Sequence, residues 1–138
     1  MEQERFVSYA STLTRDPFAT YRQIDAVGRT ATADGPALVQ LLYKELTAAL
    51  RAAAWACEKR EFAVKSERIT RATAILFALE AGLDFEQGGQ VSETLARLYG
   101  GARKTVINAS LGHDPRPFRD SADMLDEIAQ AWRTASAA

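Results

Sequence analysis

Two runs of apolar residues, spaced by threes and fours, flank the stretch Leu83-Asp84-Phe85-Glu86-Gln87-Gly88-Gly89-Gln90-Val91. They restrict the possible folds more than any other feature of the chain. Ile69, Ala72, Leu76, Leu79 and Leu83 precede the stretch, and Val91, Leu95, Leu98, Ala102 and Ala109 follow it. At 3.6 residues per turn, each set gathers on one stripe of a helix. The paired glycines permit backbone angles that a Cβ would forbid, which suits a sharp reversal. Two striped helices joined by so few residues pack antiparallel, stripe against stripe, as an αα-hairpin.

Further helices follow from start and stop signals. Asp16-Pro17 opens a short segment bearing Phe18, Tyr21, Ile24 and Val27, which needs a surface to pack upon. A linker of small and polar residues leads to Asp34-Gly35-Pro36, a second start signal, and a long helix is expected from there to about Lys59. The hairpin helices are expected at about Phe62 to Leu83 and Val91 to Leu111, and a last one from Phe118 or Ser121 to Thr134. Pro115 and Pro117 mark the turn before that last helix. With four substantial helices and no strand pattern, the expected fold is all-α. It is an antiparallel four-helix bundle with a short extra N-terminal helix or cap segment. Residues 1–15 are expected to form a flexible tail, residues 16–134 the bundle, and residues 135–138 a frayed end.

The 138 residues suffice for one substantial core, and 47% apolar with 25% charged residues is ordinary for a soluble domain. A net charge of -1 supplies no global field for nucleic acid or acidic lipid. No apolar run approaches the roughly 20 residues that span a bilayer, and Met1 to Arg5 lead into no signal-peptide core. The expectation is a cytoplasmic protein with neither nucleic-acid partner nor membrane insertion.

Catalytic and metal-binding groups are scarce. The only histidine, His113, sits beside a turn with Ser110 three residues before it, so no Glu-x-x-His metal signature is present. Cys57 stands alone and reads as a small buried apolar group. Asp84 and Glu86 are explained by helix capping, and Gly88-Gly89 is too short for a phosphate loop. No catalytic residue, cofactor or metal site is expected.

Several stretches, in order, resemble one family. Asp16-Pro17-Phe18-Ala19-Thr20-Tyr21-Arg22-Gln23 resembles the Asn-Pro-Tyr-x-x-Tyr-x-Gln opening of the flagellin export chaperones, the FliS family. Leu38-Val39-Gln40-Leu41-Leu42-Tyr43 resembles the start of that family's first long helix. Leu83 to Val91, with Leu95 and Leu98-Tyr99, resembles its central turn and third helix, and Ala131-Trp132 fits its end. The chain departs from the pattern at Thr32-Ala33-Asp34-Gly35-Pro36, at Lys44-Glu45, and at Gly100-Gly101, where the family tends to have larger residues. The resemblance implies a cytosolic chaperone without an ATP cycle. Its partners would be the disordered C-terminal segment of flagellin and the flagellar export gate. It would prevent premature polymerisation and assist type III export.

A chaperone of this kind needs apolar surface beyond what its interior uses. The apolar residues of the first long helix cover about 200° of its circumference, which can serve either two bundle neighbours or a partner. Val39, Tyr43, Leu50, Phe77, Tyr99 and Ile107 are the expected partner-binding residues. Phe18, Tyr21 and Ile24 are expected to cap the same groove when it is empty. The alternative is a small helical regulatory or ligand-binding adaptor, which would carry a polar cluster inside its seams.

Overall fold

A computed structural model describes residues 35–137, and it is built there from four helices: α1 (Gly35–Lys59), α2 (Phe62–Ala81), α3 (Phe85–Ser110) and α4 (Arg116–Ala137). The expected tail, the N-terminal helix and the capping residues Phe18, Tyr21 and Ile24 lie outside the described residues. Cross-helix pairs fix the directions. Arg51 meets Asp123 and Asp126, while Glu58, further along α1, meets Arg119, earlier along α4. Arg71 of α2 reaches Glu45 of α1, and Arg103 of α3 reaches Glu80 of α2. Sequential neighbours are antiparallel, and α4 returns to lie along α1.

The core runs the length of the bundle, with Leu46, Leu50, Leu76, Leu79, Leu95, Phe118, Leu125, Ile128 and Trp132 fully buried. Burying each such side chain stabilises the fold by about 1.5–3 kcal/mol. Helix α1 packs against both α2 and α4, so most of its broad apolar arc is consumed by two neighbours. Trp55, which falls off that arc, is exposed. Cys57 is buried as a small apolar group.

Each turn has its own chemistry. Arg60 adopts a left-handed φ of 57° after α1, and Glu61 N–H donates back to the Ala56 carbonyl at 2.9 Å. This is a Schellman-type stop built without glycine. The α2–α3 reversal is made by Gly82, Leu83 and Asp84, rather than by Gly88-Gly89. Asp84 caps α3, its Oδ1 accepting from the Glu86 and Gln87 amides at 3.0 Å each. Gly89, at φ 51° and ψ -123°, then kinks the helix, and Ser92 Oγ donates to the Asp84 carbonyl at 2.7 Å across the bend. The glycine pair therefore redirects a helix that has already started. Buried Lys65 closes the α3–α4 end, donating from Nζ to the Gly112 carbonyl at 2.7 Å and the Ser110 carbonyl at 3.4 Å. At the start of α4, Asp114 accepts from the Arg116 amide at 3.0 Å, and its bonds to Arg116 hold the carboxyl below its ordinary range.

Candidate partner-binding surface

The six residues expected to meet a partner divide into two groups. Val39, Tyr43, Leu50 and Tyr99 are exposed by 1% or less, so they are interior residues and the expectation that they are surplus surface is corrected. Val39, Tyr43 and Leu50 belong to the buried apolar cluster to which all four helices contribute. Tyr43 and Tyr99 meet across the core, hydroxyl to hydroxyl at 2.5 Å, and the Tyr43 ring packs tilted against Trp132 with centroids 6.3 Å apart. A tyrosine can be interior when its hydroxyl finds a partner there. Burial pushes the Tyr43 phenol well above its ordinary value, with the Tyr99 hydrogen bond working the other way.

Phe77 and Ile107 remain outside, exposed by 62% and 49%. Helix α2 places Phe77 toward α3, where the Arg103 guanidinium lies 5.2 Å over its ring centroid and is held there by Glu80. Stacking of this kind is worth roughly 0.5–1 kcal/mol at an exposed site. Ile107 follows Arg103 by one turn on the same side of α3, so Phe77, Arg103 and Ile107 form one apolar and cationic surface.

Gly100-Gly101 adjoins this surface. Inside a helix each glycine costs roughly 1 kcal/mol relative to alanine, a cost that close packing or bending can offset. Neither occurs: the helix departs from helical angles only at Gly89, and a Cβ at either glycine would meet nothing within 4 Å. The pair leaves a stretch of bare, accessible backbone beside Ile107.

Other exposed apolar residues were missed. Leu41 stands on α1, and Phe85 lies at the first turn of α3. At the far end Phe62 packs edge-on against His113, ring centroids 6.4 Å apart, with Leu111 exposed nearby in the chain. Phe62, Phe85 and Leu111 sit at helix ends, where a period of 3.6 gives no reliable inside or outside. Clefts also open between the described helices. One, of about 250 Å³ between α1 and α4, is bordered by Leu41, Lys44, Thr47, Asp126 and Arg133. The other, of about 430 Å³ between α1 and α2, is bordered by Glu45, Ala52, Arg68 and Arg71. Among the described residues no three His, Cys, Asp or Glu side chains converge as a metal site, and no helix is long and apolar enough to cross a membrane.

The described residues form an all-α bundle that keeps apolar side chains on its outer face, Phe77 and Ile107 beside Arg103 among them. The family model for flagellar protein FliS matches residues 18–138, and the chain belongs to that family. It is 27% identical over 124 residues to a flagellar secretion chaperone FliS of Salmonella typhimurium, covering 89% of this chain and 92% of the relative. A flagellar secretion chaperone FliS of Vibrio cholerae is 25% identical over 118 residues, covering 86% and 87% respectively. A flagellar secretion chaperone FliSB of Pseudomonas aeruginosa is 27% identical over 112 residues, covering 81% and 89%. Membership of a secretion-chaperone family supports an export-chaperone role for this chain.

Proposed function

We propose that this chain is a cytosolic export chaperone that binds the disordered C-terminal segment of flagellin. Binding prevents early polymerisation and holds the subunit for the flagellar export gate. One observation supports the reading beyond family membership: Phe77 and Ile107 are kept on the outside of a bundle whose interior is already filled by other residues. A flagellin end segment is amphipathic and self-assembles through its apolar stripe, so laying that stripe on an apolar helix face hides it. Ordering a disordered segment costs free energy, so contacts beyond this one surface are required, and Leu41 and Phe85 are candidates for them. The capping role of Phe18, Tyr21 and Ile24 belongs to the same proposal. Deleting residues 1–28 would leave affinity unchanged or raise it.

The direct test titrates the protein with the last ~50 residues of the host's flagellin, a length of about 75 Å if helical. Phe77→Asp with Ile107→Asp should weaken binding at least tenfold while the helical circular dichroism is retained. Undiminished affinity in that variant would overturn the assignment of this surface.

A further inference from the structure

Helix α1 turns a second apolar stripe outward. At 100° per residue, Leu41, Lys44, Ala52 and Trp55 lie within about 40° to either side of Ala48, while Val39, Leu46 and Leu50 of the core lie about 160° or more away. Leu41 and Trp55 are exposed by 51% and 48%, Ala48 is exposed and Ala52 is half-buried. Helices α2 and α4 pack on the inner side of α1 and leave this stripe uncovered. Its middle is low because Ala48 and Ala52 are small, and the 430 Å³ cleft opens beside them toward α2. The stripe is also symmetrical: Leu41 precedes Ala48 by seven positions and Trp55 follows it by seven, about 10.5 Å either way along the helix.

We propose that the occupant of this stripe is a second copy of the chain, with the two α1 helices antiparallel and related by a two-fold axis at Ala48. Each Leu41 then meets the other copy's Trp55, and the small residues between them let the helices close. The charges fit the same operation. Lys44 and Arg133 line the α1–α4 cleft, both exposed and neither ion-paired among the described residues. Asp126 borders that cleft too but is engaged, with Asp123, by Arg51, and two carboxylates against one guanidinium leave one negative charge. Reversal about Ala48 lays position 44 opposite position 52, so the cationic pair of each copy meets the anionic group of the other, twice per dimer. Charges on the α2 side cancel: Glu45 pairs with Arg71, and Arg68 has Glu67 beside it in the chain. Glu58 with Arg119 cancels likewise, and Lys59 lies beyond the apolar contact, opposite Ala37. One helix pair with charged margins falls below the roughly 1,200 Å² at which stable interfaces begin, so the dimer is weak and reversible, with a dissociation constant on the order of 10–100 µM. The surface of Phe77 and Ile107, on α2 and α3, takes no part in it.

Sedimentation velocity of the full chain between about 1 µM and about 300 µM should show monomer giving way to dimer. Trp55→Asp and Leu41→Asp, both at exposed positions, should each raise the dissociation constant at least about tenfold while the helical circular dichroism is retained. Lys44→Glu should raise it about threefold, and added salt should weaken the dimer in the same direction. Cross-linking reads the register: Ala48→Cys, made with Cys57→Ala so that no other thiol remains, should form a disulfide-linked dimer under mild oxidation, and Thr105→Cys on the exposed side of α3 in the same background should not. A chain that stays monomeric through the whole range would overturn the proposal. A dimer that survives both Trp55→Asp and Leu41→Asp would overturn the assignment to α1, and equal cross-linking at positions 48 and 105 would overturn the two-fold register.

Discussion

Tyr43 and Tyr99 lie 56 positions apart in the sequence and meet hydroxyl to hydroxyl at 2.5 Å in the bundle interior. The contact joins α1 to α3, two helices that are not sequence neighbours. Their rings lie 6.3 Å apart at 58°, beside Trp132 of α4. Removing one hydroxyl loses a buried hydrogen bond at a cost of about 1–3 kcal/mol. Chemical denaturation of Tyr43→Phe, Tyr99→Phe and the double variant should give single losses in that range and a double loss smaller than their sum.

Alkaline pH should reach the same pair. Burial raises the Tyr43 phenol above its ordinary value of 10.0, so the folded chain keeps its proton where the unfolded chain has lost it. Below pH 10 both states are neutral and this group's contribution is present in full. As pH rises above 10 the unfolded state gains by ionising, and stability falls by up to about 1.4 kcal/mol per pH unit. Between pH 8 and pH 11, the denaturation midpoint of Tyr43→Phe should drop less than that of the unaltered protein.

Glycines in one helix should respond with opposite signs. Gly89 occupies a left-handed conformation, so Gly89→Ala should destabilise by about 1–3 kcal/mol even though the space is open. Gly101 is helical and its Cβ would meet nothing, so Gly101→Ala should stabilise by about 0.5–1 kcal/mol. Thermal melts of the two variants, compared with the unaltered chain, give both signs directly.

Arg60 pays a conformational cost at φ 57°. Arg60→Gly should raise stability by about 1 kcal/mol, because glycine takes the left-handed stop without a Cβ penalty. Lys65→Met should act in reverse, leaving the Gly112 carbonyl without its 2.7 Å donor and costing about 1–3 kcal/mol. Urea titration measures both.

Interior and exterior residues of the expected partner set should also separate. Leu50→Ala removes a fully buried side chain and should cost about 2–5 kcal/mol, whereas Phe77→Ala at 62% exposure should change stability by less than about 1 kcal/mol. Equal losses at the two positions, read from denaturant midpoints, would remove the distinction on which the surface assignment rests.

Periodicity in the chain was enough for four helices and their antiparallel order, because a 3.6-residue stripe is a local property that any packing must respect; the start of α3, expected at Val91, falls at Phe85. Family likeness was legible too, in short stretches spread along the chain. Which residues were spare was not. Val39, Tyr43 and Leu50 lie on a helix with two neighbours, and a wide apolar arc reads the same whether a neighbour helix or a partner covers it. The sharing of a tyrosine hydroxyl between α1 and α3 has no local signature, since its partner comes from 56 positions away. The site of the second reversal likewise depended on Asp84 capping α3 before Gly89 bent it. Pattern along a chain specifies which face of each helix is apolar; how many neighbours that face meets, and hence what is left over for a partner, is set when the helices assemble.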